Sequence, residues 1–248
     1  MFTVRSRSGF VGCLASLALS ALTIVVLAVP AAADPIVYDQ PAQSPVVSTR
    51  ASQNQGGGPT EFQTWDNFTL ALDASITGVT WQGSYFNTIA PNPTIPPPAN
   101  ATGFVVQFYS DLAGTPGALL QSLSFTPAGA NETFFGVGSA FGLGLGVYNY
   151  SAAIAPSFSV TAGTPYWLSV YAVSPFASPT EAQWGWNGGT GGDGSSSQYV
   201  GVIPVPVLTD RGFALEGIAA VPEPASLILL GSGLAGLAAR AVRRRRRV

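Results

Sequence analysis

The alternation of apolar and polar residues along the chain predicts a protein built almost entirely from β-strands. Between residues 34 and 220, short runs rich in Val, Ile, Phe, Tyr, Trp and Thr recur between clusters of Gly, Pro, Asn and Ser. No run keeps the apolar period of an amphipathic helix. The runs number about nine to eleven, which is typical of two packed sheets. We therefore predict an all-β protein with a single antiparallel β-sandwich, jelly-roll-like in topology.

The predicted strands do not fill the whole of this region. Residues 64–220 hold the sandwich, whereas residues 34–63 are rich in Pro, Gln, Ser and Gly and predict an irregular lead-in. Glycine alternates with other residues over 136–146, and this pattern predicts a linker between strands.

The run over residues 76–83 predicts a strand with two chemically distinct faces. Ile76, Thr80 and Gln82 would share one face, and Val79 and Trp81 would share the other, because side chains alternate along a strand.

The first 33 residues have the three parts of a secretory signal peptide helix. Two arginines begin it, residues 11–29 are almost wholly apolar, and Ala31 and Ala33 satisfy the small-residue rule just before Asp34. Cleavage is predicted after Ala33. The only cysteine, Cys13, would be lost with the leader, so the mature protein would contain no disulfide.

The last 28 residues predict a short transmembrane helix with a basic end. Residues 227–239 would form a helix about 20 Å long, shorter than the roughly 30 Å core of a bilayer. Arginines follow it and predict a cytoplasmic end. They are Arg240, Arg243, Arg244, Arg245, Arg246 and Arg247. The segment before the helix contains two prolines and should be extended. It comprises Val221, Pro222, Glu223, Pro224 and Ala225. These properties alone fit either a permanent tail anchor or a cleaved signal.

The order of Pro-Glu-Pro motif, apolar segment and arginine cluster resembles the PEP-CTERM sorting signal of Gram-negative bacteria. The resemblance implies export by the secretion machinery and processing by a membrane-embedded exosortase. It also implies transient anchoring in the inner membrane and a final place at the cell surface or outside the cell. Runs around Trp65, Trp81, Tyr109, Trp167 and Trp184 are similar to a β-sandwich ectodomain of exported PEP-CTERM proteins. That similarity implies a fold but no reaction.

The charge of the central region excludes nucleic acid as a partner. All ten basic residues are arginines, and eight of them lie in the two terminal segments. Only Arg50 and Arg211 remain between residues 34 and 220, against eleven acids, which gives this region a net charge of −9. Binding to phosphates requires clustered cations instead.

The absence of histidine restricts the possible chemistry. Without histidine, and without cysteine in the mature chain, Ser-His-Asp and Cys-His catalysis and the usual zinc, copper and haem ligands are excluded. A glycoside hydrolase would need two opposed carboxyl groups. Glu181, Asp193 and Glu216 are available, but no spacing singles out a pair. We therefore assign no catalytic residue, and we expect no cofactor other than a calcium ion.

The calcium alternative rests on residues 188–193, Gly-Gly-Thr-Gly-Gly-Asp. They match one copy of a calcium-binding repeat, with Asp193 as the candidate ligand, but Ser195 stands where that repeat has a bulky apolar residue. A flexible Gly/Ser loop fits the same residues.

Trp184 and Trp186 are two residues apart, so both indoles would face the same side of a strand. If exposed, they would form a glycan-binding face with Glu181 and Asn187. If buried, they would belong to the core.

The prediction for function is a non-catalytic, exported cell-surface or matrix protein that is retained among surface polysaccharides. The alternatives are a carbohydrate-binding module that uses the Trp-lined face and a carboxylate-dependent glycoside hydrolase.

Overall fold

The computed structural model of the protein describes residues 34–54, 62–87, 99–140, 143–174, 182–200, 203–220 and 232. The predicted signal peptide lies outside these residues, and so do the Pro-Glu-Pro motif and the terminal arginines. Within the described parts of the chain, no helix has the length and apolar character that crossing a membrane requires.

Fourteen β-strands make up the architecture of the described residues. In chain order they are β1 (Ile36–Gln40), β2 (Thr49–Ala51), β3 (Gln53–Asn54), β4 (Phe62–Thr69), β5 (Ala74–Phe86), β6 (Gly103–Asp111), β7 (Pro116–Phe125), β8 (Thr133–Ala140), β9 (Leu143–Val160), β10 (Pro165–Val173), β11 (Gln183–Asn187), β12 (Ser196–Val200), β13 (Ile203–Val207) and β14 (Phe213–Ala219).

Sheet 1 is organised around the long strand β5. One side of β5 pairs with β9, and the other side pairs with β14 and then with β11. Beyond these neighbours, β8 pairs with β9, β1 pairs with β14, and β2 pairs with β11. In this register Trp81 lies between Tyr150 and Phe213, which brings three aromatic residues into one row.

Sheet 2 contains the remaining strands in the order β13, β12, β4, β3, β10, β6 and β7, with β4 also paired directly to β10. Its pairings are antiparallel except for the two residues of β3 that run parallel to β10.

The inner faces of the two sheets meet in one aromatic core. Phe104 of sheet 2 contacts Tyr150 of sheet 1 with ring centroids 4.7 Å apart. Phe108 stacks on Phe158 at 4.3 Å, again from one sheet to the other. Such pairs add to the stabilisation that burial of the rings already gives. The predicted all-β sandwich is confirmed.

Two expectations about irregular segments are wrong. The described part of the predicted lead-in, residues 34–54 and 62–63, is not irregular, because it contains β1, β2, β3 and the start of β4. Strand β1 pairs with β14, and Gln40 lies opposite Phe213. Because these two strands are far apart in the sequence, no local pattern predicts their pairing. Residues 136–146 belong largely to β8 and β9 rather than to a linker. Gly138 leaves room for its neighbour, because a Cβ there would lie 3.2 Å from Cγ2 of Val147.

Candidate functional site

Trp184 and Trp186 point into the core, and not toward solvent. Both side chains are fully buried on β11. The indole N–H of Trp184 donates to the hydroxyl of Tyr150 at 3.0 Å, and that of Trp186 donates to the carbonyl of Gly212 at 2.9 Å. The two residues do share a side of the strand, as predicted, but it is the inner side. The Trp-lined glycan-binding face is therefore wrong.

The other residues of that predicted face are equally unavailable. Asn187 is fully buried, and its amide donates to Oε1 of Gln82 at 3.1 Å while its Oδ1 accepts from Ser84 at 2.7 Å. These hydrogen bonds tie Asn187 of β11 to strand β5. Glu181 lies outside the described residues.

A chain of hydrogen bonds continues from Trp184 to the edge of the core. The hydroxyl of Tyr150 donates to Oε1 of Glu132 at 3.1 Å, and that of Tyr85 donates to the same oxygen at 2.7 Å. Burial is the main cause that raises the pKa of both tyrosines, so both phenols stay neutral donors. This network satisfies buried polar groups and ties Glu132, at the start of β8, to β5 and β9.

A second polar network closes one end of the sandwich around Asp66. Its Oδ2 accepts from the amide of Gln40 at 2.5 Å and from the backbone N–H of Arg211, and its Oδ1 accepts from the N–H of Asn67 at 2.8 Å. Burial raises the pKa of the Asp66 carboxyl well above its ordinary value, although the N–H of Arg211 opposes that shift. The network joins β4 of sheet 2 to β1 of sheet 1.

Arg211 is the unexpected member of this network. Its side chain is fully buried, and its guanidinium donates to the carbonyls of Trp186, at 3.2 Å, and Thr209, at 3.0 Å. Burial lowers the pKa of Arg211 to about 10, an effect that the charge of Asp66 opposes. One of only two arginines between residues 34 and 220 therefore fixes the fold and is not available to bind an anion.

The glycine-rich loop, residues 188–194, wraps around Asp210, which directly precedes Arg211. The backbone N–H groups of Gly192 and Gly194 donate to its two carboxylate oxygens at 3.0 and 2.7 Å. A Cβ on Gly192 would lie 2.8 Å from Cγ of Asp210, so the loop needs glycine in order to approach the carboxylate. The loop thus directs N–H groups at an acid, whereas a calcium ion requires oxygen atoms.

Asp193, the candidate calcium ligand, lies on the exposed side of this loop. It accepts hydrogen bonds from the amide of Asn67 at 2.7 Å and from the N–H and hydroxyl of Ser195 at 2.9 and 2.8 Å. Partial burial raises the pKa of Asp193, but the bonds from Asn67 and Ser195 outweigh it and lower that pKa below its ordinary value. Over the described residues, no three or more acids, histidines or cysteines are grouped so that they could hold a metal ion.

The third acid of the hydrolase hypothesis, Glu216, lies on β14. A Cβ on Gly78, its partner on β5, would lie 2.7 Å from a carboxylate oxygen of Glu216, so this side chain lies across Gly78. Asp193 and Glu216 thus contact different strands, and Glu181 is outside the described residues. No catalytic pair follows from these contacts.

The outer face of sheet 1 carries a groove of about 410 Å³ that crosses several strands. Polar residues of neighbouring strands line it, because the register aligns Asp39 of β1, Ala214 of β14, Thr80 of β5 and Ser151 of β9 in one row. A second cavity of about 260 Å³ shares Ser151 with the first and extends the groove along the same face.

Hydrogen bonds between side chains hold the polar lining of this groove in place. The amide of Gln82 donates to Oδ1 of Asn149 at 3.0 Å, and the amide of Asn131 donates to the hydroxyl of Ser151 at 3.0 Å. Gln82 is itself held by Asn187. We call the surface formed by Asp39, Thr80, Gln82, Asn131, Thr133, Asn149, Ser151 and Ala214 the sheet 1 groove.

No residue of the sheet 1 groove was predicted as a site. The sequence did place Thr80 and Gln82 on one face of a strand, opposite Trp81. It gave no sign of the partners on β1, β9 and β14, which come together only through the sheet register.

Comparison with known proteins identifies two segments of the chain. The model of the family described as Domain of unknown function (DUF7901) matches residues 40–191, more than half of the chain. The chain belongs to this family. The DUF7901 match ends before β12, yet β14, which follows it, lies between β1 and β5 in sheet 1. The folded unit therefore extends beyond the matched residues.

The second match is to the PEP-CTERM protein-sorting motif, over residues 220–246. It confirms the resemblance seen in the sequence. Such motifs are recognised by exosortase, and they indicate export and membrane-associated processing. The motif residues, 221–225, and the arginines, 240–247, lie outside the described residues, as do Ala31 and Ala33. Asp34, the predicted first residue of the mature chain, accepts a hydrogen bond from Thr77 at 2.6 Å. No curated protein and no solved structure matches this DUF7901 protein.

Proposed function

We propose that this protein is a non-catalytic component of the cell surface. An exosortase would cut it at residues 221–225, release its sandwich from the membrane, and leave it retained among surface polysaccharides. The secretion machinery and the exosortase are its processing partners in this proposal.

The place where the sandwich ends supports the proposal most directly. The last strand, β14, ends at Ala219, and the sorting match begins at residue 220. The N–H of Ala220 still donates to the carbonyl of Asp73 at 2.7 Å. A cut after that point would remove none of the fourteen strands of the described residues, so the released product would keep its fold.

The surroundings of the buried acids support a non-catalytic role. Asp66 and Asp210 accept hydrogen bonds from backbone N–H groups, and each of them ties a loop or strand into the fold. Their geometry is explained by packing, with no need for a substrate.

The test compares two pairs of proline substitutions in a bacterium that carries an exosortase. Pro222→Ala with Pro224→Ala removes the motif. Pro204→Ala with Pro206→Ala is the matched control, because these residues form another Pro-x-Pro pair, exposed on strand β13. We expect the first variant to stay in the membrane fraction with its arginine tail intact, and the control to be released like the wild type. Equal release of both variants would contradict the proposal.

A further inference from the structure

The sheet 1 groove is built to contact a chain-like ligand. Along β5 it runs from Gln82 to Gly78, four residues or about 14 Å at the rise of a strand. From Ala214 on β14 to Ser151 on β9 it spans two strand spacings, about 10 Å. These dimensions exceed those of a single sugar ring.

The floor of the groove is low because its central side chains are small. Ala214 on β14 and Ala153 on β9 flank β5 and face outward. Longer polar residues surround them: Asp39 at one edge, and Asn131 and Thr133 at the opposite edge. A ligand could therefore lie on the sheet between these two edges.

The lining offers hydrogen bonds from side chains only. The three strands under the centre of the groove, β14, β5 and β9, have paired neighbours on both sides, so a peptide lying on them could not be added as a further strand. What remains are hydroxyls and amides in fixed positions, such as Thr80, Asn149 and Ser151. These groups match a ligand that presents many hydroxyls along its length.

The charge of the groove selects among such ligands. Among the described residues, its lining contains the carboxylate of Asp39 and no cation, and the adjoining cavity contains Asp34 and Glu216. Phosphorylated, sulfated and uronate polymers would be repelled. We infer that the sheet 1 groove binds a segment of an uncharged polysaccharide. This inference rests on the proposed retention among surface polysaccharides, and it assigns that retention to named residues.

The experiment presents the full-length protein, in detergent, to an array of neutral glucans, mannans and galactans beside alginate and a sulfated galactan. Thr80→Ala with Asn149→Ala removes two groove side chains. Ser122→Ala with Ser124→Ala is the matched control on β7 of sheet 2. The two pairs are matched because each contains one acceptor of a glutamine amide. Asn149 accepts from Gln82, and Ser122 accepts from Gln107.

We expect binding to at least one neutral polymer and to neither anionic one. The affinity should fall about tenfold in the groove variant, since two hydrogen bonds are lost, and stay within about twofold in the control. Ala214→Gln, which raises the floor, should weaken binding as well, with thermal unfolding checked for each variant. The inference is overturned by no binding to any neutral polymer, by preference for alginate, or by equal affinity of the two double variants. The processing state of the C-terminus plays no part in this assay, so its failure is separate from failure of the sorting proposal.

Discussion

The packing of Trp184 over Gly83 makes a quantitative prediction about the core. An added Cβ on Gly83 would lie 2.5 Å from Cε2 of the buried indole and closer still to Cζ2. Gly83→Ala must therefore displace the ring, and overpacking of this kind costs about 1–3 kcal/mol. Trp184→Ala should cost about 3–5 kcal/mol, because it empties the site and removes the hydrogen bond to Tyr150. In the double variant the new methyl group occupies vacated space, so its cost should vanish.

The assay is a double-mutant cycle from urea unfolding followed by far-UV circular dichroism. We expect the double variant to be more stable than the sum of the single costs implies, by about 1–3 kcal/mol. Gly136→Ala is the control, because a Cβ there meets no atom within 4 Å; its effect should be the same in both backgrounds. Additive costs, or a Trp184→Ala variant within about 0.5 kcal/mol of the wild type, would refute the burial of this indole.

Three further predictions concern the polar end of the sandwich. Burial raises the pKa of the Asp66 carboxyl in the folded state. The protonated carboxyl therefore stabilises the fold fully at a pH below the pKa of an unfolded aspartate, about 3.9, and this stabilisation is lost as the pH rises through the raised pKa. The unfolding free energy of Asp66→Asn should lack this decline in a pH series, and an unchanged slope would argue against the assignment. Gly189→Ala should destabilise the protein more than Gly191→Ala in urea melts. The new Cβ at position 189 would lie 2.6 Å from the carbonyl carbon of Arg211, whereas a Cβ at position 191 meets no atom and costs only the strain of a positive φ of 90°. Finally, because hydrogen bonds already hold Asp193, we expect the same melting temperature in calcium and in EDTA.

The period of the apolar pattern was enough to predict the fold class, because alternation reports which residues face a core. It could not predict a change of face within a strand. Ile76 was placed on the face of Thr80 and Gln82, yet Ile76 is fully buried, as Val79 is. The register of β5 shifts between Ile76 and Gly78, and such a bulge exchanges the two faces. Gly78 is the local sign of it, because an isolated glycine inside a strand often marks a bulge.

The residues of the polar end were missed for a similar reason. The sequence shows Arg211 only as one of two cations in an acidic region. Its burial is possible because the backbone carbonyls of Trp186 and Thr209 accept hydrogen bonds from its guanidinium. The glycines of residues 188–194 were compared with a metal-binding pattern. The structure accounts for Gly189 and Gly192 by close approach to Arg211, Gly212 and Asp210. Close approach between distant segments leaves no short motif in a sequence.

The sorting signal, in contrast, could be predicted in full from the sequence. Its three parts are contiguous, and an apolar segment with a basic end has physical consequences that do not depend on folding. The family match over residues 220–246 confirms that prediction. The sorting motif, which is contiguous, could therefore be found, whereas the polar end and the sheet 1 groove depend on sheet register and could not.

The most direct test of the proposed division between sandwich and sorting signal is mass spectrometry of both ends of the mature protein, isolated from the outside of its own host. We predict a chain that begins at Asp34 and ends within residues 221–225, with all fourteen described strands retained. A surface-exposed product that still carries Arg243–Arg247 at its C-terminus would contradict it.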